Sequence, residues 1–122
     1  MKIVVVEDDK VLSLLLSKMI ERLGHEVATV VTKGSEAIEK IQALTPDLIL
    51  MDIMLEDNID GITVMETIRK KELNYPVIYI TGNSDPANLE RAKSTEFEEY
   101  LIKPVSFDDL KMNIESVEQK KP

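Results

Sequence analysis

The stretch Asp47-Leu-Ile-Leu-Met-Asp52-Ile-Met-Leu55 constrains the fold more than any other: an apolar run carries one carboxylate at its far end, then breaks into an acidic loop ending at Asp60-Gly61. An uninterrupted Leu/Ile/Met run of about five residues belongs to a central strand covered on both faces, because neither side can present polar groups to water. A buried strand thus delivers Asp52 to the edge of a sheet, and the rest of the chain must bring other strand ends to the same rim.

The remaining segments alternate between strand-like and helix-like patterns. Ile3 to Val6 is a β-branched run that stops at Glu7-Asp8-Asp9. From Lys10 to Leu23, apolar residues (Val11, Leu12, Leu15, Leu16, Met19, Ile20, Leu23) recur at helical spacing, with Asp9 as the cap and Gly24 as the stop. On this reading Leu14-Leu-Leu16 and Met19 are core, and His25 is a surface turn residue without chemistry. A second strand covers Glu26 to Val31, and Thr32 or Ser35 caps a helix through Ala37, Ile38, Ile41 and Leu44. Beyond the acidic loop, Gly61 starts a helix with Ile62, Met65 and Ile68 on one face, ending at Arg69-Lys70-Lys71, where cations suit the negative helix end. Asp60 caps that helix, and Asp57 is a solvated loop charge.

A fourth strand, Pro76 to Ile80, leads into Thr81-Gly82-Asn83-Ser84, and Asp85-Pro86 opens a short polar helix reaching about Ser94. With only Leu89 and Ala92 to bury, this helix is expected to be the least anchored. The fifth strand, Glu99 to Ile102, leads to Lys103-Pro104. Ser106 with Asp109 then starts a last helix carrying the stripe Phe107, Leu110, Ile114 and Val117, and Gln119 to Pro122 are expected to fray. Five strands alternating with five helices predict an α/β fold, a parallel sheet with right-handed crossovers and helices on both faces, as one domain over residues 1–122.

Fifteen basic against 23 acidic side chains give a formal charge of −8, which disfavours unaided contact with nucleic acid or anionic lipid. The absence of Cys excludes disulfides and thiolate metal sites and fits a reducing compartment, while a single His excludes a His-rich metal site. Met1-Lys-Ile-Val-Val-Val6 is too short for a signal peptide and no stretch approaches membrane-spanning length, so the reading is a cytoplasmic protein.

In open α/β sheets, ligands bind outside the carboxyl ends of the strands. Here those ends carry Glu7, Asp8 and Asp9, then Asp52, Thr81 and Lys103: an acid cluster, a hydroxyl and an ammonium. If the first and third strands are neighbours, each like-charge pair costs roughly 4 kcal/mol at about 4 Å and an effective dielectric near 20. A cation must offset this, and oxygen-only ligands point to Mg²⁺, with Lys103 as the second counter-charge. Such a carboxylate is suited to accept a phosphoryl group, the metal and ammonium offsetting charge on the equatorial oxygens, Thr81 hydrogen-bonding one of them, and Gly82 leaving the approach open. Asp9 is read as a cap rather than a ligand.

Val6-Glu-Asp-Asp9, Leu50-Met-Asp52, Asp60-Gly61, Thr81-Gly82 and Tyr100-Leu-Ile-Lys103-Pro104, in this order, resemble the receiver domain of two-component response regulators over nearly the whole chain. The resemblance implies a flavodoxin-like sheet of strand order 2-1-3-4-5, Asp52 as phosphoacceptor, and a Mg²⁺ ion, with Mn²⁺ as the alternative. The implied ligands are Asp8, Asp52 and the Met54 backbone carbonyl, with Glu7 acting through a water. It also implies a cis peptide before Pro104, Thr81 and Tyr100 as switch residues that alter the surface of helix four, strand five and helix five, and a sensor histidine kinase as donor. The output partner is a downstream protein or an effector domain outside this sequence, and the domain is a monomer or a phosphorylation-dependent homodimer. It is a phosphoacceptor that catalyses its own transfer and dephosphorylation rather than a metabolic enzyme.

The chain departs from the family pattern in three places. Glu56 stands where a proline is usual, Asp60-Gly61 lies one residue further on, and Glu96-Phe97 replaces a Gly-Ala pair before Tyr100. The resemblance also implies that Met54 and Asn83 occupy the two positions that tune the lifetime of the phosphoryl group. Two other functions share some of these features. A Mg²⁺-dependent phosphatase with an aspartyl intermediate usually has a second acid two residues after the nucleophile, where this chain has Met54. A receiver-like scaffold has no need for the intact acid, Thr and Lys set.

Overall fold

The computed structural model describes residues 1–82 and 85–120. Its elements are β1 (Lys2–Val6), α1 (Lys10–Arg22), β2 (Glu26–Val31), α2 (Gly34–Leu44), β3 (Leu48–Met51), α3 (Gly61–Lys70), β4 (Val77–Thr81), α4 (Pro86–Lys93), β5 (Glu99–Ile102) and α5 (Phe107–Lys120). The strands form one parallel sheet in the order β2-β1-β3-β4-β5. No described helix is long and apolar enough to cross a membrane.

Alternation along the central strands divides the interior into two layers. Leu48 and Leu50 of β3 join Ile3, Val5, Ile78 and Ile80 against α1 and α5, while Ile49 and Met51 join Val4, Val6, Val77 and Tyr79 against α2, α3 and α4. With both faces covered, every residue of β3 is buried, as its unbroken apolar run requires. Register then sets the rim: Val6 pairs with Val31 and with Met51, Met51 with Tyr79, and Thr81 with Ile102. The next residues therefore emerge side by side, and their backbone N–H groups continue the ladder: Glu7 to Val31 O, Asp52 to Val6 O and Lys103 to Thr81 O, at 2.9, 2.9 and 2.8 Å.

Four helix caps occur where the sequence places them. Asp9 accepts from the N–H groups of Val11 and Leu12, Asp60 from that of Thr63, Asp85 from that of Ala87, and Ser106 from that of Asp109. α4 buries only Ala92 within its length, the weak anchoring expected of it.

Five expectations need correction. Val11, Leu14 and Leu15 of α1 are exposed, Val11 by 80%, because the sheet receives only the stripe of Leu16 and Ile20, with Leu12, Met19 and Leu23 at its margin. Neither Thr32 nor Ser35 caps α2: Lys33 sits at the cap position without a side-chain bond, and Asp57 supplies the acceptor from the loop after β3. Asp57 is accordingly bonded and not merely solvated. The His25 side chain is only 7% exposed, with Nδ1 2.7 Å from the Met1 amino group and Nε2 facing Glu118. α5 continues through Gln119 to Lys120, whose ammonium reaches Glu98 at 2.9 Å, so these two residues of the expected tail are helical. Lys121, Pro122 and Asn83, the last expected to tune phosphoryl lifetime, lie outside the described residues.

Candidate functional site

Adjacent strand ends bring one oxygen each of Glu7, Asp8 and Asp52 within 4.8 Å of one another. Glu7 and Asp52 are 2% and 5% exposed, so their charges face each other with little water between them. Lys103 enters from the end of β5: its Nζ makes an ion pair with Glu7 Oε1 at 2.8 Å, off the hydrogen-bonding direction, and a hydrogen bond to Asp52 Oδ2 at 3.1 Å. The peptide between Lys103 and Pro104 is cis.

One ammonium does not balance three carboxylates. Burial pushes the Glu7 carboxyl above its ordinary range and the adjoining Asp52 adds to this, with Lys103 offsetting only part. Asp8 is also raised, by partial burial and then by Glu7 beside it. Burial alone would lower the Lys103 ammonium, but its contacts with Glu7 and Asp52 outweigh burial and hold it above the usual lysine value. The set is an oxygen-lined, electron-rich notch, and it fits a hard divalent cation: Glu7 Oε1 is buried without an aligned donor, and the donors are all carboxylates.

Thr81, the last residue of β4, is fully buried beside this notch's lysine-bearing strand. Tyr100 packs against Tyr79 and Phe97 at ring-centre distances of 5.9 and 5.8 Å, and its hydroxyl is buried without a hydrogen-bond partner among the described residues. Met54 lies in the loop after β3 with its side chain turned to solvent. Asp9 and Asp60 hold helix N-termini, as read from the sequence.

These features converge with the match of the response regulator receiver domain family to residues 3–115. The chain belongs to this family. Among receiver-bearing relatives, the alkaline phosphatase synthesis transcriptional regulatory protein PhoP of Bacillus subtilis is 30% identical over 116 residues, covering 95% of this chain and 48% of that protein. The chemotaxis protein CheY of Thermotoga maritima is 29% identical over 103 residues, 84% of this chain and 85% of that one. The solved signal receiver domain of a modulated diguanylate cyclase from Desulfovibrio desulfuricans G20 superposes with a TM-score of 0.87 at 34% identity, covering 98% and 94% of the two chains. This receiver domain therefore spans about half the length of PhoP and nearly all of the solved domain.

Sequence reasoning missed two contacts around the site. Arg91 of α4 grips Asp60 with both terminal nitrogens, Nη1 at 2.9 Å from Oδ2 and Nη2 at 3.3 Å from Oδ1. Asp57 caps α2 from a distance; a lysine at the cap position, where Ser, Thr, Asp or Asn is expected, was the available sign that an acceptor comes from elsewhere. Beside Lys103, the exposed face of α1 and the start of the β5–α5 loop enclose an apolar groove of about 450 Å³ lined by Val11, Leu12, Leu15, Pro104 and Val105.

Proposed function

We propose that residues 1–122 act as one receiver unit that takes a phosphoryl group from a sensor histidine kinase onto Asp52 and signals through α4, β5 and α5. The observation that carries this reading is the gathering of three carboxylates and one ammonium at the carboxyl ends of β1, β3 and β5. Asp8, Asp52 and the backbone carbonyl of Met54 would hold Mg²⁺, or Mn²⁺ in its place, with Glu7 acting through a water. When bound, the ion supplies charge stabilisation to the transferring phosphoryl oxygens.

The chain's own residues do the rest. An Asp52 carboxylate oxygen attacks phosphorus, an O–P bond forms as the N–P bond of the donor phosphohistidine breaks, and the imidazole leaves with the bonding pair. Lys103, already 3.1 Å from Asp52 Oδ2, offsets the added negative charge. The Thr81 hydroxyl donates to a phosphoryl oxygen, and Tyr100 follows it in the switch. Attack of water on the acyl phosphate later restores Asp52, so transfer and dephosphorylation are both catalysed by this chain. Output goes to a protein partner or an effector domain, by a monomer or a phosphorylation-dependent homodimer, in the cytoplasm. A charge of −8 argues against direct nucleic-acid or membrane binding by these residues.

The test is incubation with phosphoramidate, with and without Mg²⁺, followed by intact mass. Wild type should gain one phosphoryl group only with the metal, and Asp52→Asn should gain none. No metal-dependent gain in wild type overturns the proposal, and release of phosphate from simple monoesters would favour an aspartyl phosphatase instead.

A further inference from the structure

The loop over residues 53–60 contains neither proline nor glycine, so its path is set by what it is tied to rather than by restricted backbone dihedrals. At its two ends it is closed on itself and onto α3: the Gly61 N–H donates to Ile53 O at 2.8 Å, and Asp60 caps the helix. Its middle is tied to α2. The Glu56 N–H donates to Thr32 O at 3.1 Å. Asp57 Oδ1 accepts from the Gly34 N–H at 2.8 Å, and Oδ2 accepts from both the N–H and the hydroxyl of Ser35 at 3.1 Å. Ile59 lies so close to Gly34 that a Cβ there would overlap its carbonyl.

A helix cap is ordinarily local, supplied by the residue before the first turn. Here that residue is Lys33, which makes no such bond, and the acceptor comes from 23 positions along the chain. The start of α2 and the middle of the loop after Asp52 thus share one hydrogen-bond set, three residues beyond Met54. We infer that Asp57 is a positioning residue for the cation and phosphoryl site, holding the loop in the path that presents the Met54 backbone to Asp52. This rests on the site reading proposed above. The carboxylate has a second use as the cap of α2, so losing it removes the side-chain tie between loop and helix and leaves the backbone bond of Glu56 to Thr32 O as the remaining hydrogen bond there among the described residues.

The experiment measures Mn²⁺ affinity by water proton relaxation, which needs no phosphorylation, in wild type, Asp57→Ala, Asp57→Asn and Ile114→Val. The last truncates the buried core of α5 and serves as a variant of lowered stability remote from the loop. Asp57→Ala should weaken Mn²⁺ binding about tenfold, in keeping with the loss of an outer support of a metal ligand. Asp57→Asn, which keeps the acceptor for the Gly34 N–H but turns an amide NH2 toward the Ser35 N–H, should recover part of the affinity, and Ile114→Val should bind as wild type does. Wild-type affinity in Asp57→Ala, or equal weakening in Ile114→Val, overturns the inference while leaving the site reading intact. A wild type that binds no Mn²⁺ overturns both.

Discussion

Gly61 is required by its neighbours rather than by its own backbone angles: a Cβ there would overlap the carbonyl of Asp52 and crowd the Met51 side chain. The helix that follows the acidic loop is thereby pressed against Asp52, the residue proposed to accept the phosphoryl group. Gly61→Ala is expected to cost at least about 2 kcal/mol in urea unfolding, since backbone must move to admit the methyl group. The same variant should also lose phosphoryl uptake, because the displaced atom belongs to Asp52. The sequence marks Asp60-Gly61 as a cap and a helix start, and both are found, but steric pressure from a distant strand leaves no local trace. Asp57 and His25 were misread for the same reason. A polar residue in a loop looks solvated until the fold brings a helix N-terminus, or a chain terminus and Glu118, against it.

At the scale of elements, α4 is the helix with the fewest buried residues. Ala92 is its one fully buried residue; just past its end Thr95 hydrogen-bonds Tyr79 at 2.8 Å and its carbonyl accepts from Arg69. A further tie is the Arg91 fork on Asp60. Burial alone would raise the Asp60 carboxyl, but Arg91 and the Thr63 N–H outweigh it and hold it below the usual aspartate range. A depressed carboxyl contributes stability that is fully present above the ordinary aspartate value and lost as the pH falls below it. Arg91→Ala should therefore speed amide exchange in residues 86–93 at neutral pH while changing global stability by no more than about 0.5 kcal/mol, since the pair is partly open to solvent. Unchanged exchange in α4 would show that the fork holds nothing. α1 shows the limit of periodicity: its apolar residues span an arc wider than the sheet can cover, and spacing does not say which edge of that arc is left out.

Across the whole molecule, charge dominates the response to conditions. Glu7 and Asp8 are both held above their ordinary values, so without metal they weaken the folded state at neutral pH and weaken it less as the pH falls and they take up protons. On the proposed function, Mg²⁺ competes with those protons. At a hundred times its dissociation constant it should add about 2.7 kcal/mol at neutral pH. That increment should shrink as the pH drops through a range above the ordinary carboxylate values, as read from thermal melts with and without Mg²⁺ between about pH 7.5 and about pH 5. An increment independent of pH would mean that the ion is not held by these two acids. Strand number and helix placement were legible because burial on two faces leaves an unmistakable run in β3; the order of the strands was not, since nothing in five similar runs says which lies beside which, and it came from family resemblance alone. The charged groups themselves are fastened to the sheet at the ends of β1, β3 and β5 through the backbone bonds of Glu7, Asp52 and Lys103. Warming that frees the outlying helix would thus leave these oxygens in formation, and on the proposed function the molecule would go on receiving messages after it had lost the means to pass them on.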